Sequence, residues 1–266
     1  MAKILIYSSS SANSLKTEQL LVNKLEYASF DVTKEISSDV DLIVCIGGDG
    51  TFLEAVHHFG FPRIPFIGIN TGHLGFFQEI MPDQLDQFIY DYRRGAYSLQ
   101  RMQTVKAVVE HDGKSDEFIG LNEIVLRSPA TYSVHLNISI GGGFIERFSG
   151  DGLLISTPAG STAYNYSLGG SIVDPRIRLL QVTPIAPMNT TAYRSFTSSI
   201  LLPPDLSLNI VPDNNGIKDE IMVTYDGFAV EFNKIESLTA SLADESVELL
   251  RLESYDFWTK VKSKFL

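Results

Sequence analysis

This 266-residue sequence predicts two domains of different architecture, an amino-terminal open α/β domain followed by a mostly antiparallel, β-rich one. Two observations carry the prediction. Over the first third, buried-type apolar runs alternate with segments of helical period, the pattern of a parallel sheet with helices packed on it. After Gly95 the pattern changes to closely spaced strands separated by glycine- and asparagine-containing turns. These features place an α/β domain over 1–96 and a β-rich domain over 97–250.

Lys3 to Tyr7 reads as a buried strand. Ser14 to Tyr27 follows as a helix, with Leu15, Leu20, Leu21, Val22 and Leu25 near one face. Asp41 to Ile46 is a second buried strand, Thr51 to His58 a second helix and Pro65 to Ile69 a third strand. Pro82 to Arg94 makes a third helix, with Leu85, Phe88, Ile89 and Tyr92 at helical spacing and Gly95 as its stop. Ser98 to Val109, Phe118 to Leu126, Tyr132 to Ile140, Phe144 to Phe148 and Leu153 to Ser156 are β-rich. Turn clusters stand at His111-Asp112-Gly113 and Gly141-Gly142-Gly143, and hairpin turns at Asn214-Asn215-Gly216 and Asp226-Gly227. Ser254 to Leu266 is an amphipathic helix whose Phe257, Trp258, Val261 and Phe265 can share a face.

Hydrophobic residues make up 44% of the chain and charged ones 20%, a globular balance and not a disordered one. The formal net charge of −11 speaks against a nucleic-acid binder, whose affinity comes from Lys and Arg neutralising phosphates. A small anionic substrate remains compatible, because backbone N–H groups and a divalent cation supply local positive potential. The single cysteine, Cys45, permits no intramolecular disulfide and no zinc signature, and sits in a strand-like apolar run. Residues 1–7 are too short an apolar run for a signal peptide, and no stretch approaches the length of a membrane span. A cytoplasmic protein that avoids membranes and nucleic acid is expected.

Gly47-Gly48-Asp49-Gly50 lies between the second strand and the second helix. Glycines allow positive φ and let the backbone approach a ligand, and the helix start adds unpaired N–H groups. The turn therefore suits a phosphate chain, although no lysine follows as it would in a P-loop. Asp49 has two readings: a carboxylate that accepts a proton or positions a metal, or a helix cap. Asn70-Thr71-Gly72-His73-Leu74-Gly75-Phe76-Phe77 follows the third strand, so it meets the glycine turn at one sheet edge. There His73 reads as a hydrogen-bonded structural histidine, and Phe76 and Phe77 as core. Asn122 and Glu123 combine donor and acceptor groups able to hold vicinal ribose hydroxyls, or else form a solvated turn. Between Ser149 and Gly170, hydroxyls, small residues and Tyr164 suit an adenine, a flat ring with edge nitrogens, or a polar turn before a capped helix.

Together, G-G-D-G at 47–50, N-T-G-H-L-G-F at 70–76, N-E at 122–123 and G-D-G-x-x-x-S-T-P-x-G-S-T-A-Y at 150–164 resemble the NAD kinase family. The closing Phe257-Trp258 helix resembles the end of that family's chains. The resemblance implies a Rossmann-like open α/β domain, a β-sandwich-like carboxy-terminal domain, and a chain end, 251–266, that returns to the first. It implies transfer of the γ-phosphate of ATP to the adenosine-ribose 2′-hydroxyl of NAD, with Mg²⁺ held chiefly by ATP oxygens. By the same resemblance Asp49 activates that hydroxyl, with Gly47, Gly48 and Gly50 beside the phosphates. Asn122 and Glu123 match residues that hold the adenosine ribose, and Thr162, Ala163, Tyr164 and Ser167 the adenine pocket. Asp151 and Ala186 match positions at the nicotinamide end, partly across a subunit interface in a dimer or tetramer. Asp226 is a further match, and a hairpin Asp-Gly accounts for it equally. Ser149 stands where relatives are often basic. A lipid kinase sharing G-G-D-G, or a dinucleotide-binding regulator without turnover, are the rival readings; the first requires an apolar acyl-chain site, the second NAD binding without transfer.

Overall fold

The computed structural model describes residues 2–73, 75–130, 132–189, 194–213 and 220–265. The expected Asn214-Asn215-Gly216 turn lies outside them. The chain forms two compact units, Met1–Arg101 with Ser246–Leu266, and Met102–Glu245.

The first unit begins with β1 (Lys3–Ser8), α1 (Ala12–Tyr27), β2 (Asp31–Thr33), β3 (Leu42–Gly47), α2 (Asp49–His58), β4 (Phe66–Asn70), β5 (Gln78–Ile80) and, after a 3₁₀ turn, α3 (Leu85–Arg93). Its strands run parallel in the order β2-β1-β3-β4-β5. All six residues of β3 and all five of β4 are buried, the signature of a parallel strand covered on both faces. Isoleucines 4, 6, 46, 67 and 69 pack with Leu21, Leu25, Leu85 and Phe88 in one core. On α1 the buried row is Ser14, Thr17, Leu21 and Leu25; Leu15 and Leu20 are exposed, at 52% and 43%. At 100° per residue, positions 15 and 20 fall off the stripe that 14, 17, 21 and 25 define. Helix α2 starts at Asp49, two residues earlier than the pattern indicated.

The second unit holds β6 (Tyr97–His111), which enters it from the first, then β7 (Lys114–Gly120), β8 (Glu123–Arg127), β9 (Val134–Ile140), β10 (Gly143–Gly150), β11 (Gly152–Ser156), α4 (Tyr164–Ser167), β12 (Leu180–Ile185), β13 (Ile200–Leu202), β14 (Leu208–Pro212), β15 (Ile221–Tyr225) and β16 (Phe228–Phe232). One long strand, β17 (Ser237–Leu252), leaves it, and α5 (Phe257–Phe265) closes the chain. Within this unit β10, β9, β14 and β17 pair antiparallel, and a second antiparallel sheet runs β13-β12-β11-β8-β15-β16. Alternate residues of both sheets, such as Leu136, Ile138, Leu208 and Ile210 against Ile124, Leu126, Leu153 and Ile155, share one core. The turn at Asp112-Gly113 has positive φ at both residues (47° and 68°), as does Asp226-Gly227 (48° and 92°). That is the geometry a two-residue hairpin requires.

The predicted stretch Phe118 to Leu126 is interrupted: β7 ends at Gly120 and β8 begins at Glu123. Apolar residues on both sides of the break hide it from a pattern reading. The last seven residues of β17 and α5 belong to the first unit, where Leu249 pairs parallel with Phe66.

Candidate active site

In the first unit the register sets Gly47 beside Asn70, at the carboxyl ends of β3 and β4. The glycine turn and the Asn70–Phe77 segment therefore leave the sheet at the same edge, where open α/β sheets bind ligands. Thr71 N donates to Gly47 O at 3.3 Å, and the Thr71 hydroxyl lies 2.7 Å from that of Ser14. Gly47 is needed for space: a Cβ there would stand 2.6 Å from Thr51 Cβ. A Cβ at Gly48 or Gly50 would meet open space, which leaves their backbone accessible to a ligand. None of these three has positive φ, contrary to the conformational use expected of them; Gly48 sits at φ −104° as the N-cap of α2.

Asp49 is the first residue of α2, inside the helix, so the cap reading fails. Its carboxylate crosses to the neighbouring segment instead. Phe76 N donates to Oδ2 at 2.9 Å and Phe77 N to Oδ1 at 3.0 Å. Lys264 Nζ on α5 stands 3.8 Å from Oδ2. The two N–H donors are themselves anchored: Phe77 stacks on Phe52 at 4.7 Å, and Phe76 packs against Phe257 and Phe265. Both rings are buried, as expected of core residues. His73 is exposed on the bend after Asn70, not packed inside as a structural histidine. The result is a carboxylate fixed by two backbone donors, about a quarter exposed (28%), at the start of a helix whose first N–H groups lack intrahelical partners.

The second unit assembles a different group of residues. Asp226, at the β15–β16 hairpin, accepts from Leu121 N (2.6 Å), Asn122 N (2.7 Å) and Glu123 N (3.2 Å). Thr157 braces the same turn, donating from N to Asn122 O and from Oγ1 to Leu121 O. With backbone held from both sides, Asn122 Oδ1 and Glu123 Oε2 are buried without a protein hydrogen-bond partner. Such atoms carry a desolvation cost that a ligand's hydroxyls would relieve. Burial, with the Asp226 carboxylate adding to it, pushes the Glu123 carboxyl up to about 8.

Next to this turn Gly160 packs on the Asn122 backbone, leaving no room for a side chain. Thr162 is buried, Ala163 half-buried, and Tyr164 and Ser167 are exposed three residues apart on α4. Asn165 fixes this short helix from beneath: it donates to Ser161 O and accepts from Thr183 Oγ1 at 2.6 Å. Asp151 and Ala186 lie elsewhere. Strand β11 pairs Ser156 with Glu123 at one end and Gly152 with Ile185 at the other. At about 3.3 Å per residue, the Asp151–Ala186 corner is some 15 Å from the Glu123 end. Both are exposed, and Ala186 holds φ at 43°. Ser149 is fully buried, its N–H on Ser195 Oγ and its carbonyl accepting from Met188 N, so it offers no side chain outward.

The first unit thus holds a positioned carboxylate beside an open glycine turn, and the second holds a turn whose buried Asn122 Oδ1 and Glu123 Oε2 have no protein partner. Several residues of this machinery escape a reading of the sequence. Phe76 and Phe77 act through backbone N–H groups, which carry no residue label, and Asn165 and Thr157 look like ordinary turn residues. Lys260, whose Nζ donates to Phe76 O and Gln78 O, and Lys264 left a signal, two cations four residues apart flanking the apolar stripe of α5.

The family description "ATP-NAD kinase N-terminal domain" matches residues 3–97, and "ATP-NAD kinase C-terminal domain" matches 121–252. The NAD kinase of Finegoldia magna is 36% identical over 264 residues, covering 98% of this chain and 97% of its own. NAD kinase 1 of Halalkalibacterium halodurans is 34% identical over 230 residues, 85% of each chain. Two solved structures share the fold at lower identity. The yeast NADH kinase complexed with NADH superimposes with a TM-score of 0.85 at 19% identity, covering 100% of this chain and 87% of that one. An NAD kinase from Archaeoglobus fulgidus in complex with ATP gives 0.78 at 21%, covering 99% of both. The four sequence motifs, the two-unit fold and these matches over nearly the whole chain lead to one assignment: this chain belongs to the NAD kinase family.

Proposed function

We propose that this chain transfers the γ-phosphate of ATP to the 2′-hydroxyl of the adenosine ribose of NAD, with Asp49 as general base. ATP-dependent phosphorylation of NAD is the reaction of the family; the hydroxyl acted on and the role of each residue are our reading. The observation that carries it is the carboxylate of Asp49, fixed by Phe76 and Phe77 N–H beside an unobstructed glycine turn. The ribose hydroxyl gives its proton to Asp49 as its oxygen bonds to the γ-phosphorus. The bond from that phosphorus to the bridging oxygen breaks, and ADP leaves with the electron pair. Backbone N–H groups of Gly47–Gly50 and the start of α2 face the negative charge of the phosphate chain.

In this assignment Asn122 Oδ1 and Glu123 Oε2 take hydrogen bonds from the adenosine ribose, and Asp226 holds the turn that presents them. Thr162, Ala163, Tyr164 and Ser167 receive the adenine. Asp151 and Ala186 meet the nicotinamide end, partly across a subunit interface of a dimer or tetramer. Among the described residues no three of His, Cys, Asp or Glu gather to hold a metal. Oxygens of ATP and water suit Mg²⁺, which would offset phosphate charge when bound. No helix of the described residues is long and apolar enough to cross a membrane, and Cys45 is a free, buried thiol. Both fit our placement of the protein in the cytoplasm.

The test is formation of NADP by the purified protein, read with an NADP-specific dehydrogenase that recognises the 2′-phosphate. Signal that requires NAD, ATP and Mg²⁺ together supports the reading. Tight NAD binding without transfer would make the chain a sensor, and phosphorylation of a lipid alcohol in place of NAD would move it to the lipid kinases.

A further inference from the structure

Helix α5 contributes an ammonium group to the support of Asp49. Lys260 Nζ donates to two backbone carbonyls, Phe76 O at 3.3 Å and Gln78 O. Phe76 O shares a peptide unit with the Phe77 N–H, and the Phe76 N–H lies in the unit just before it; these are the two N–H groups that hold the oxygens of Asp49. One side chain therefore ties down the outer face of the strip whose inner face grips the carboxylate. Arg251 and Glu79 form the floor beneath. Both are nearly fully buried, 3.1 Å apart, with Arg251 also on Gln100 Oε1 and stacked on Tyr255 at 3.7 Å. Lys260 lies 5.2 Å from the same Tyr255 ring.

We infer that Lys260 is a positioning residue for the phosphoryl transfer: it sets the Phe76–Gln78 backbone so that its N–H groups hold Asp49 in the reactive orientation. The inference rests on the assignment of Asp49 as base. It follows from how a carbonyl clamp works. A cation on Phe76 O and Gln78 O polarises their peptide groups and blocks rotation of the strip about its own axis. Without it, the strip keeps its aromatic anchors but gains freedom where the N–H vectors point, and errors of about 1 Å at a reacting group cost roughly 100-fold. The environment of Lys260 reinforces the geometric case. Burial, and then the neighbouring Arg251, push its ammonium down to about 8, against the opposing pull of Glu79 and Asp49, with Lys264 adding to the depression. An amine in so unfavourable a place is compensated there by its hydrogen bonds to the two carbonyls.

Lys260→Met, which keeps an unbranched apolar stem and removes the ammonium, is expected to lower kcat roughly 10- to 100-fold with KM for NAD and for ATP within about threefold of wild type. Emission of Trp258, the only tryptophan and a member of α5, should not move, because the helix stays docked through Phe257 and Val261. Lys260→Cys gives a second route. Cys45 is fully buried, so 2-bromoethylamine converts the new thiol to a lysine analogue, and kcat should recover at least about tenfold over the unmodified thiol. A folded Lys260→Met enzyme with kcat within about twofold of wild type overturns the inference. So does loss of kcat accompanied by raised KM values and a red-shifted Trp258, which marks simple undocking of α5. Should Lys260→Met not fold, the aminoethylation comparison decides: no recovery overturns the inference. Asp49→Asn assayed in parallel separates the two levels. If it retains turnover, the base assignment falls; if it is inactive while the Lys260 variants are not, only the positioning role falls.

Discussion

Substitution of Gly75 by alanine separates catalysis from stability at one atom. A Cβ at this position would stand 2.7 Å from Asp49 Cγ, closer still to Oδ1, and 2.5 Å from Gln78 Oε1. Ordinary contact begins near 3.4 Å, so the carboxylate must withdraw by about 1 Å. What it meets is the end of a short side chain, not backbone, and the fold can yield there for about 1 kcal/mol. The chemistry cannot. Moving Asp49 by that amount pulls it from the Phe76 and Phe77 N–H groups and from the hydroxyl it must deprotonate. A misplacement of about 1 Å costs roughly 100-fold in rate, or ~3 kcal/mol of barrier. The assay is steady-state NADP formation at saturating ATP and varied NAD, with thermal unfolding measured on the same preparation. The expected result is kcat down about 100-fold, KM for NAD within about threefold, and an unfolding midpoint lowered by no more than a few degrees, roughly 2–4 °C. Full turnover in a well-folded Gly75→Ala enzyme would refute the reasoning that the carboxylate's position, and not its mere presence, drives transfer.

Gly160→Ala should behave in the opposite way. The new methyl meets backbone, 2.8 Å from Asn122 Cα and nearer its carbonyl, so the Asn122–Glu123 turn or the 3₁₀ segment Ala159–Thr162 that carries Gly160 must shift. A loss of about 1–3 kcal/mol in chemical unfolding is expected, with KM for NAD raised; unchanged stability would contradict the packing argument. Glu123 makes stability depend on pH. Its folded-state value, about 8, lies above the ordinary 4.5, so between those values the folded state binds more protons than the unfolded one and stability falls as pH rises. The span bounds the effect at ~5 kcal/mol. Glu123→Gln should match wild type near pH 5 and exceed it in stability near pH 8; parallel curves for the two proteins across that range would contradict the account.

The fold was legible where one period dominates. The continuous apolar runs of β3 and β4 and the two-residue Asp-Gly turns state their structure locally, because parallel strands need burial on both faces and primed turns need positive φ. Leu15 and Leu20 misled because composition near a stripe is not membership of it; a 100° step decides that. The break between Gly120 and Glu123 is set by Asp226 more than a hundred residues on, and no local pattern contains it. The site was legible in the same partial sense. Asp49, Asn122 and Glu123 stand out as polar residues among glycines and apolar strands. What orients them does not: peptide N–H groups of Phe76 and Phe77, and Lys260 from the far end of the chain. Of the two uses expected of the glycine turn, open access appears at Gly48 and Gly50 while positive φ does not, and Gly47 adds clearance against Thr51.

Whether Asp49 takes the proton is decided by Asp49→Asn, since the amide keeps the size of the carboxylate and removes its basicity. NAD affinity by calorimetry and NADP formation in the coupled assay should be measured on one preparation. Affinity should stay within about threefold of wild type and turnover should fall roughly 10²- to 10⁴-fold, the range a positioned general base contributes. Turnover within about threefold of wild type would contradict that role.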